Sequence, residues 1–318
     1  MLPPPVLARL DATVRFVMRD QHIGGLVVGV RRDGVTVFVR GYGYADRAHR
    51  RRVDAQTVFA IGSLTKSFTA ALVRSELHPD DTLARYVPSY PNAREITIDE
   101  LLRGTAGIPD YSEGDAFDRS SREPVAPQAV VARLAAMPPA FAPGTASSYS
   151  NGNYLLAAYA YQCAVGIPYA EALQRRLLRP LELARTAIAN PFVPEPNRAV
   201  GSRPQGSATL GFGTADLQSD VPDLLAWYGA LDAGTSVKTP RYLPQYADGF
   251  YDGTAFGQPI RFAQGYVAGF SAYGATLLEA HASVIVLANQ DAVDLDPLAR
   301  TALALALGLP EASPKGAR

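Results

Sequence analysis

Ser63-Leu64-Thr65-Lys66 places an amine three residues after a hydroxyl. On a helix starting at Ser63, positions i and i+3 share a face, so the two groups are neighbours. A serine hydroxyl is a weak nucleophile until a base takes its proton, and a lysine stripped of water can be neutral near pH 7 and act as that base. The helix N-terminus adds unpaired N–H groups where an oxyanion would form. The chemistry this spacing predicts is acyl transfer through a covalent intermediate on Ser63. With 17 serines and lysine only at 66, 238 and 315, chance gives roughly 0.16 such matches, and no other serine has lysine at +3. All but three of the 30 basic residues are arginine. Lys66 therefore invites the question of what arginine cannot do, and losing a proton is one answer.

A second candidate is Tyr149-Ser150-Asn151, preceded by Pro143-Gly144-Thr145. A tyrosine beside an ammonium ionises more easily and can relay protons, while an asparagine can hold the lysine or a substrate carbonyl. Tyr90-Pro91-Asn92 has the same spacing and reads as a proline turn.

The elements that must position these residues are legible in outline. Residues 5–21 carry Leu7, Leu10, Val14 and Val17 at helical spacing behind prolines. Gly25–Val30 and Val35–Arg40 are β-branched runs around Asp33-Gly34, a hairpin signal, and Val58–Ile61 leads into Ser63. The character then turns helical: Thr97-Ile98-Asp99-Glu100 reads as a capping box, and Pro127–Ala136, Asn153–Val165 and Pro168–Leu178 as helices. Val221–Leu231 is a further helix, Arg261–Val267, Ala272–Glu279 and Ser283–Asn289 are strands, and the last helix covers about 296–308. Strands at both ends with helices between predict an α/β (α+β) fold, an antiparallel sheet flanked by helices plus a helical domain. The sheet domain would be 1–63 with 207–318, the helical domain 64–206, and the active site the cleft between them.

Composition narrows the function classes. The chain has 318 residues, 47% hydrophobic and 19% charged, with formal net charge zero, so nothing points to nucleic acid or an anionic membrane surface. One cysteine, Cys163, excludes an internal disulfide, and its apolar surroundings predict a core position. The four histidines, His22, His49, His78 and His281, are scattered without ligand spacing, so no metal and no cofactor is expected. No G-x-S-x-G occurs. No run reaches the ~18 apolar residues of a membrane span. The N-terminus lacks the basic start and apolar core of a signal peptide, which predicts a cytoplasmic chain, or a periplasmic or secreted one if a signal has been removed.

Ser63-x-x-Lys66 and Tyr149-Ser150-Asn151 at this separation resemble the penicillin-recognising serine hydrolases: class C β-lactamases, DD-peptidases and related esterases. The likeness extends through Asp46–Lys66, Ile96–Tyr111 (ITIDELLRGTAGIPDY, where the family reads close to ITIRHLLTHTSGIPDY), Pro143–Leu156, Pro168–Leu181, Gly211–Leu225 and Val284–Asn289. The resemblance implies a β-lactamase/DD-peptidase-like fold and roles for four residues. Ser63 would be acylated, Lys66 and Tyr149 would share proton transfer as a coupled pair, and Asn151 would position substrate.

The third family motif departs. Lys-Thr-Gly or His-x-Gly is usual, and Ala263-Gln264-Gly265, followed by Gly269-Phe270, stands in its place. Gly265 still allows close approach and the N–H of Tyr266 could complete an oxyanion hole, but the cation that helps hold a substrate carboxylate is missing. Arg261, two residues earlier on the same strand face, is a candidate substitute. Lys238-Thr239-Pro240 is a decoy, with proline where glycine is needed. The stretch Ser75–Pro79 is short, predicting a trimmed helix after Lys66, and Gly104-Thr105 replaces the usual His-Thr.

The residues thus predict a carboxylesterase-like serine hydrolase of small ester or amide substrates, a small neutral ester before others, with a β-lactam or D-amino peptide as the alternative. A weakened homologue that uses the cleft only for binding is the rival from another class.

Overall fold

Asp33 and Gly34 both adopt the left-handed region, with φ of 48° and 79°. They turn strand β1 (Gly25–Arg32) tightly into β2 (Val35–Asp46), as the Asp-Gly pair predicts. The computed structural model describes residues 2–112, 123–193, 195–232 and 246–310. After β3 (Arg51–Arg52) and β4 (Phe59–Ala60), the chain forms two short strands, β5 (Ala187–Ile188) and β6 (Leu217–Ser219). It then runs through β7 (Tyr246–Ala247), β8 (Phe250–Ala255), β9 (Gln258–Val267), β10 (Phe270–Leu277) and β11 (Ala282–Ala288). Among the described residues one sheet has eight antiparallel strands in the order β3-β2-β1-β11-β10-β9-β8-β7, and a second has three in the order β4-β6-β5.

The central strands are buried on both faces. Leu26, Val28 and Val30 of β1 join Val284 and Val286 of β11 on one face, packed beneath helices α1 (Pro4–Asp20) and α8 (Asp296–Leu307). Val27, Ile285 and Leu287 point the other way, into an apolar cluster that continues without a break to Leu155 and Leu156. This period-2 alternation is what puts helices on both sides.

The second face is covered by α2 (Thr65–Glu76), α3 (Ile98–Arg103), α4 (Pro127–Ala135), α5 (Asn151–Val165), α6 (Tyr169–Leu173) and α7 (Val221–Asp232). The capping box forms as expected, Glu100 N to Thr97 Oγ1 at 3.2 Å and Thr97 N to Glu100 Oε2 at 2.8 Å. Trp227 of α7 is fully buried, stacks on Phe68 of α2 at 4.4 Å and donates to Ser67 Oγ at 2.9 Å. Such a stack adds about 0.5–1.5 kcal/mol beyond area burial, and it fixes the helix that carries Lys66.

The fold is the expected α/β (α+β) class, with local differences. The helix expected over Pro168–Leu178 is α-helical only over Tyr169–Leu173 and continues as a π-helical turn, Gln174–Leu178. Ser63 lies in a 3₁₀ turn, Gly62–Leu64, and the α-helix begins only at Thr65. Cys163 is exposed rather than in the core, because the last turn of α5 emerges from the cluster that buries residues 152–158. Strands β7 and β8, which the sequence reading passed over, extend the sheet beyond β9. Lys238-Thr239-Pro240 falls outside the described residues. Among the described residues no helix is long and apolar enough to cross a membrane.

Candidate active site

Ser63, Lys66, Tyr149 and Asn151 converge at the N-terminal ends of α2 and α5. The tight 3₁₀ turn still sets the Lys66 amine beside the hydroxyl: Nζ is 2.9 Å from Ser63 Oγ. Lys66 is completely buried. Its Nζ also meets Asn151 Oδ1 at 2.7 Å and the Thr214 carbonyl oxygen at 3.0 Å. Both of those are acceptors only, so a neutral amine spends its two hydrogens on them and turns its lone pair to the Ser63 hydroxyl. Burial pulls the Lys66 ammonium down to about 7, against the opposing carboxylates of Asp110 and Asp216.

Tyr149 completes the serine's hydrogen bonding by donating to Ser63 Oγ at 2.7 Å. Its residue surface is 36% exposed, but the hydroxyl end sits among packed atoms. That burial raises the phenol above its ordinary range despite the bond to Ser63, so the proton stays on Tyr149 in the resting site. Its ring packs at 5.3 Å against Tyr246 of β7 and 6.4 Å against Tyr251 of β8. Lys66 Nζ lies 5.0 Å from the Tyr149 ring centre and 5.9 Å from that of Tyr154.

Strand β9 presses on the serine turn at two glycines. A Cβ on Gly265 would stand 2.0 Å from the Ile61 carbonyl oxygen and 3.1 Å from Ser63 N. A Cβ on Gly62, whose φ is 52°, would stand 2.7 Å from Tyr266 N. Only glycine allows this approach, which brings the backbone of the serine turn against the backbone of Gly265 and Tyr266.

Ala263 lies on the face shared with Gly265 and is 2% exposed; Gln264 and Tyr266 alternate to the other face, so their side chains leave the site. Arg261 shares the Ala263 face, but its guanidinium makes a two-pronged pair with Asp252, at 2.8 and 3.2 Å. The structure thus joins the first two motifs and the β9 backbone, and it engages Arg261 with a carboxylate of its own.

Several contributors escaped the sequence reading. Thr214 gives only a carbonyl. Asp110 sits inside the segment ITIDELLRGTAGIPDY without a role suggested by its type. Asp216 is buried, and burial pushes its carboxyl up to about 7; its Oδ2 accepts from Gly213 N at 3.0 Å. Tyr246 and Tyr251 carried a usable signal: Asp248-Gly249 between them forms a tight turn with φ of 53° and 86°.

The family model described as Beta-lactamase matches residues 10–308. A D-aminopeptidase of Cereibacter sphaeroides is 27% identical over 326 residues, covering 92% of this chain and 61% of that protein. A β-lactamase of Escherichia coli K12 is 30% identical over 229 residues, covering 68% of this chain and 58% of that protein. The chain spans about 60% of the length of the curated relatives it matches. Among solved structures, the D-amino acid amidase of Ochrobactrum anthropi complexed with L-phenylalanine amide superposes with a TM-score of 0.83 at 18% identity, covering 94% of this chain and 99% of that one. The octameric penicillin-binding protein homologue of Pyrococcus abyssi gives 0.81 at 24% identity, covering 96% and 78%. At these identities the structures establish the shared fold.

Proposed function

This chain belongs to the β-lactamase family, and we propose that it is a serine hydrolase that cleaves neutral amides and esters through an acyl-enzyme on Ser63. The observation that carries this reading is the environment of Lys66 Nζ, whose two acceptor-only partners leave its lone pair for the Ser63 hydroxyl.

In the proposed cycle Ser63 Oγ bonds to the carbonyl carbon as its proton passes to Lys66 Nζ. The carbonyl π pair moves onto oxygen, which the N–H groups of Ser63 and Tyr266 receive. As the tetrahedral centre collapses, the bond to the leaving group breaks and that group takes the Tyr149 proton. What remains is an acyl ester, a Lys66 ammonium and a Tyr149 phenolate, with no change in net charge. Water then attacks the acyl carbon and gives a proton to Tyr149. The Ser63 ester bond breaks, Oγ recovers its proton from Lys66, and the acid product leaves.

Strand β9 supports a substrate class. With Ala263 in the third motif and Arg261 engaged by Asp252, the described residues of β9 offer little to a substrate carboxylate. This favours substrates that carry none, such as simple esters and amino acid amides. The match to a D-aminopeptidase over 92% of the chain supports a D-amino acid as the acyl part.

A substrate panel tests both levels. Wild type should turn over p-nitrophenyl acetate and D-phenylalanine p-nitroanilide, Ser63→Ala neither, and a penicillin should react far more slowly than the ester. A penicillin hydrolysed as fast as the ester would overturn the substrate assignment; no turnover and no fluorophosphonate adduct would overturn acyl transfer.

A further inference from the structure

Lys66 can aim its lone pair at Ser63 only if Asn151 shows it an oxygen. An asparagine amide is nearly symmetric in shape, and the opposite orientation would point N–H groups at the lysine. Something must break that symmetry.

The surroundings of Asn151 do so. Its Nδ2 donates to Asp110 Oδ2 at 3.0 Å and Oδ1 at 3.3 Å, and to Ser112 Oγ at 2.9 Å. Its backbone N–H donates to Asp110 Oδ2 at 3.1 Å. An ionised carboxylate only accepts, so Nδ2 must face Asp110 and Oδ1 must face Lys66. Ser112, a hydroxyl that donates as well as accepts, could satisfy either orientation and does not decide it. The backbone bond, at the first residue of α5, holds the carboxylate in register with the amide.

We infer that Asp110 is a positioning residue for acylation: it fixes the Asn151 amide, which takes one Lys66 N–H and leaves the lysine lone pair on Ser63. This rests on the acyl-transfer reading above. Asp110 also acts on Lys66 as a charge. The groups facing Lys66 are Asp110 beyond Asn151, Asp216 beyond Thr214, the rings of Tyr149 and Tyr154, and the Ser63 hydroxyl. Both carboxylates favour the ammonium, so removing either charge lowers the pH at which Lys66 becomes a free base.

Asp110→Asn keeps the shape but can pair with either orientation of Asn151. We expect Ser63 acylation by a fluorophosphonate to slow on the order of 100-fold, the size of a misplaced catalytic group, with the acid limb of its pH profile moved to lower pH. On an Asn151→Ala background the same substitution should add nothing further to the rate loss. Asp110→Glu, which restores the charge on a longer arm, should return the limb toward its wild-type position and serves if Asp110→Asn does not fold. Acylation of Asp110→Asn at the wild-type rate would overturn the inference. So would a slower rate with an unmoved limb and an effect additive with Asn151→Ala, the pattern of a merely structural residue. Wild type that forms no adduct would instead remove the acyl-transfer reading beneath it.

Discussion

The carbonyl oxygen of Thr214 accepts a hydrogen bond from Lys66 Nζ at 3.0 Å, across 148 residues of sequence. That contact and the one to Asn151 hold the amine from two sides, and burial disfavours its charge. The base proposed for the serine is therefore built by three distant segments, although serine and lysine are three residues apart.

Tyr149 enters this account as an acid. Tyr149→Phe keeps the ring packing on Tyr246 and Tyr251 and removes only the hydroxyl. A p-nitrophenolate leaves without a proton, whereas an amine must be protonated. We expect the substitution to cost on the order of 10²–10³-fold in kcat/KM for an amide and markedly less for a p-nitrophenyl ester. Equal losses on both substrates would place Tyr149 in another role.

Gly265→Ala tests the approach of β9 to the serine turn. The new methyl would meet the Ile61 carbonyl oxygen at 2.0 Å, so the strand must retreat. Stability should fall by about 1–3 kcal/mol, the usual cost of overpacking. Turnover should fall by more than the folded fraction does, because the Tyr266 N–H moves away from the oxyanion. Thermal melts and kinetics on the same preparation check both.

Ala263→Lys restores a cation on the site face of β9. A charge-assisted pair contributes about 1.5–3 kcal/mol, so kcat/KM for a penicillin should rise at least about tenfold relative to p-nitrophenyl acetate. An unchanged ratio would show that Ala263 does not set the preference.

Asp216 and Lys66 make the fold's stability depend on pH in opposite ways. The Asp216 carboxyl, with Oδ1 buried and unpartnered among the described residues, is raised to about 7. Between its unfolded value near 4 and about 7, the folded state binds the extra proton, so this contribution is lost as pH rises through that window. Lys66, lowered to about 7, contributes a gain from there up to its unfolded value near 10.4. Asp216→Asn removes only the first effect. Its melting temperature relative to wild type should therefore climb between pH 5 and pH 7, and a constant difference would contradict the raised carboxyl.

How much of this was legible depends on how local each feature is. Ser63 and Lys66 are joined by one turn of chain, and β1 and β2 by the two residues Asp33-Gly34, so spacing sufficed. Tyr149 and Asn151 needed the family resemblance, because a tyrosine two residues before an asparagine also occurs at Tyr90. Thr214 contributes a backbone oxygen, which any residue could supply, and its identity carries no signal. The role inferred for Asp110 exists through Asn151 and through its charge facing Lys66, and neither is announced by its own residue type. Cys163 misled because an apolar run predicts burial along a whole helix, whereas α5 leaves the core in its last turn. Strands β5 and β7 are two residues each, too short for a periodic pattern.

If Lys66 is the neutral base that takes the Ser63 proton, Ser63 acylation must follow the ionisation of that amine. The rate of adduct formation with p-nitrophenyl acetate, followed by intact mass between pH 5 and pH 10, should rise with a single ionisation near 7 and then level off. Lys66→Arg, which keeps the charge but not the base, should show no such rise and acylate on the order of 10³-fold more slowly on the plateau. A wild-type rate that is flat across this range, or one that rises only as an unperturbed lysine titrates near 10.4, would contradict the account.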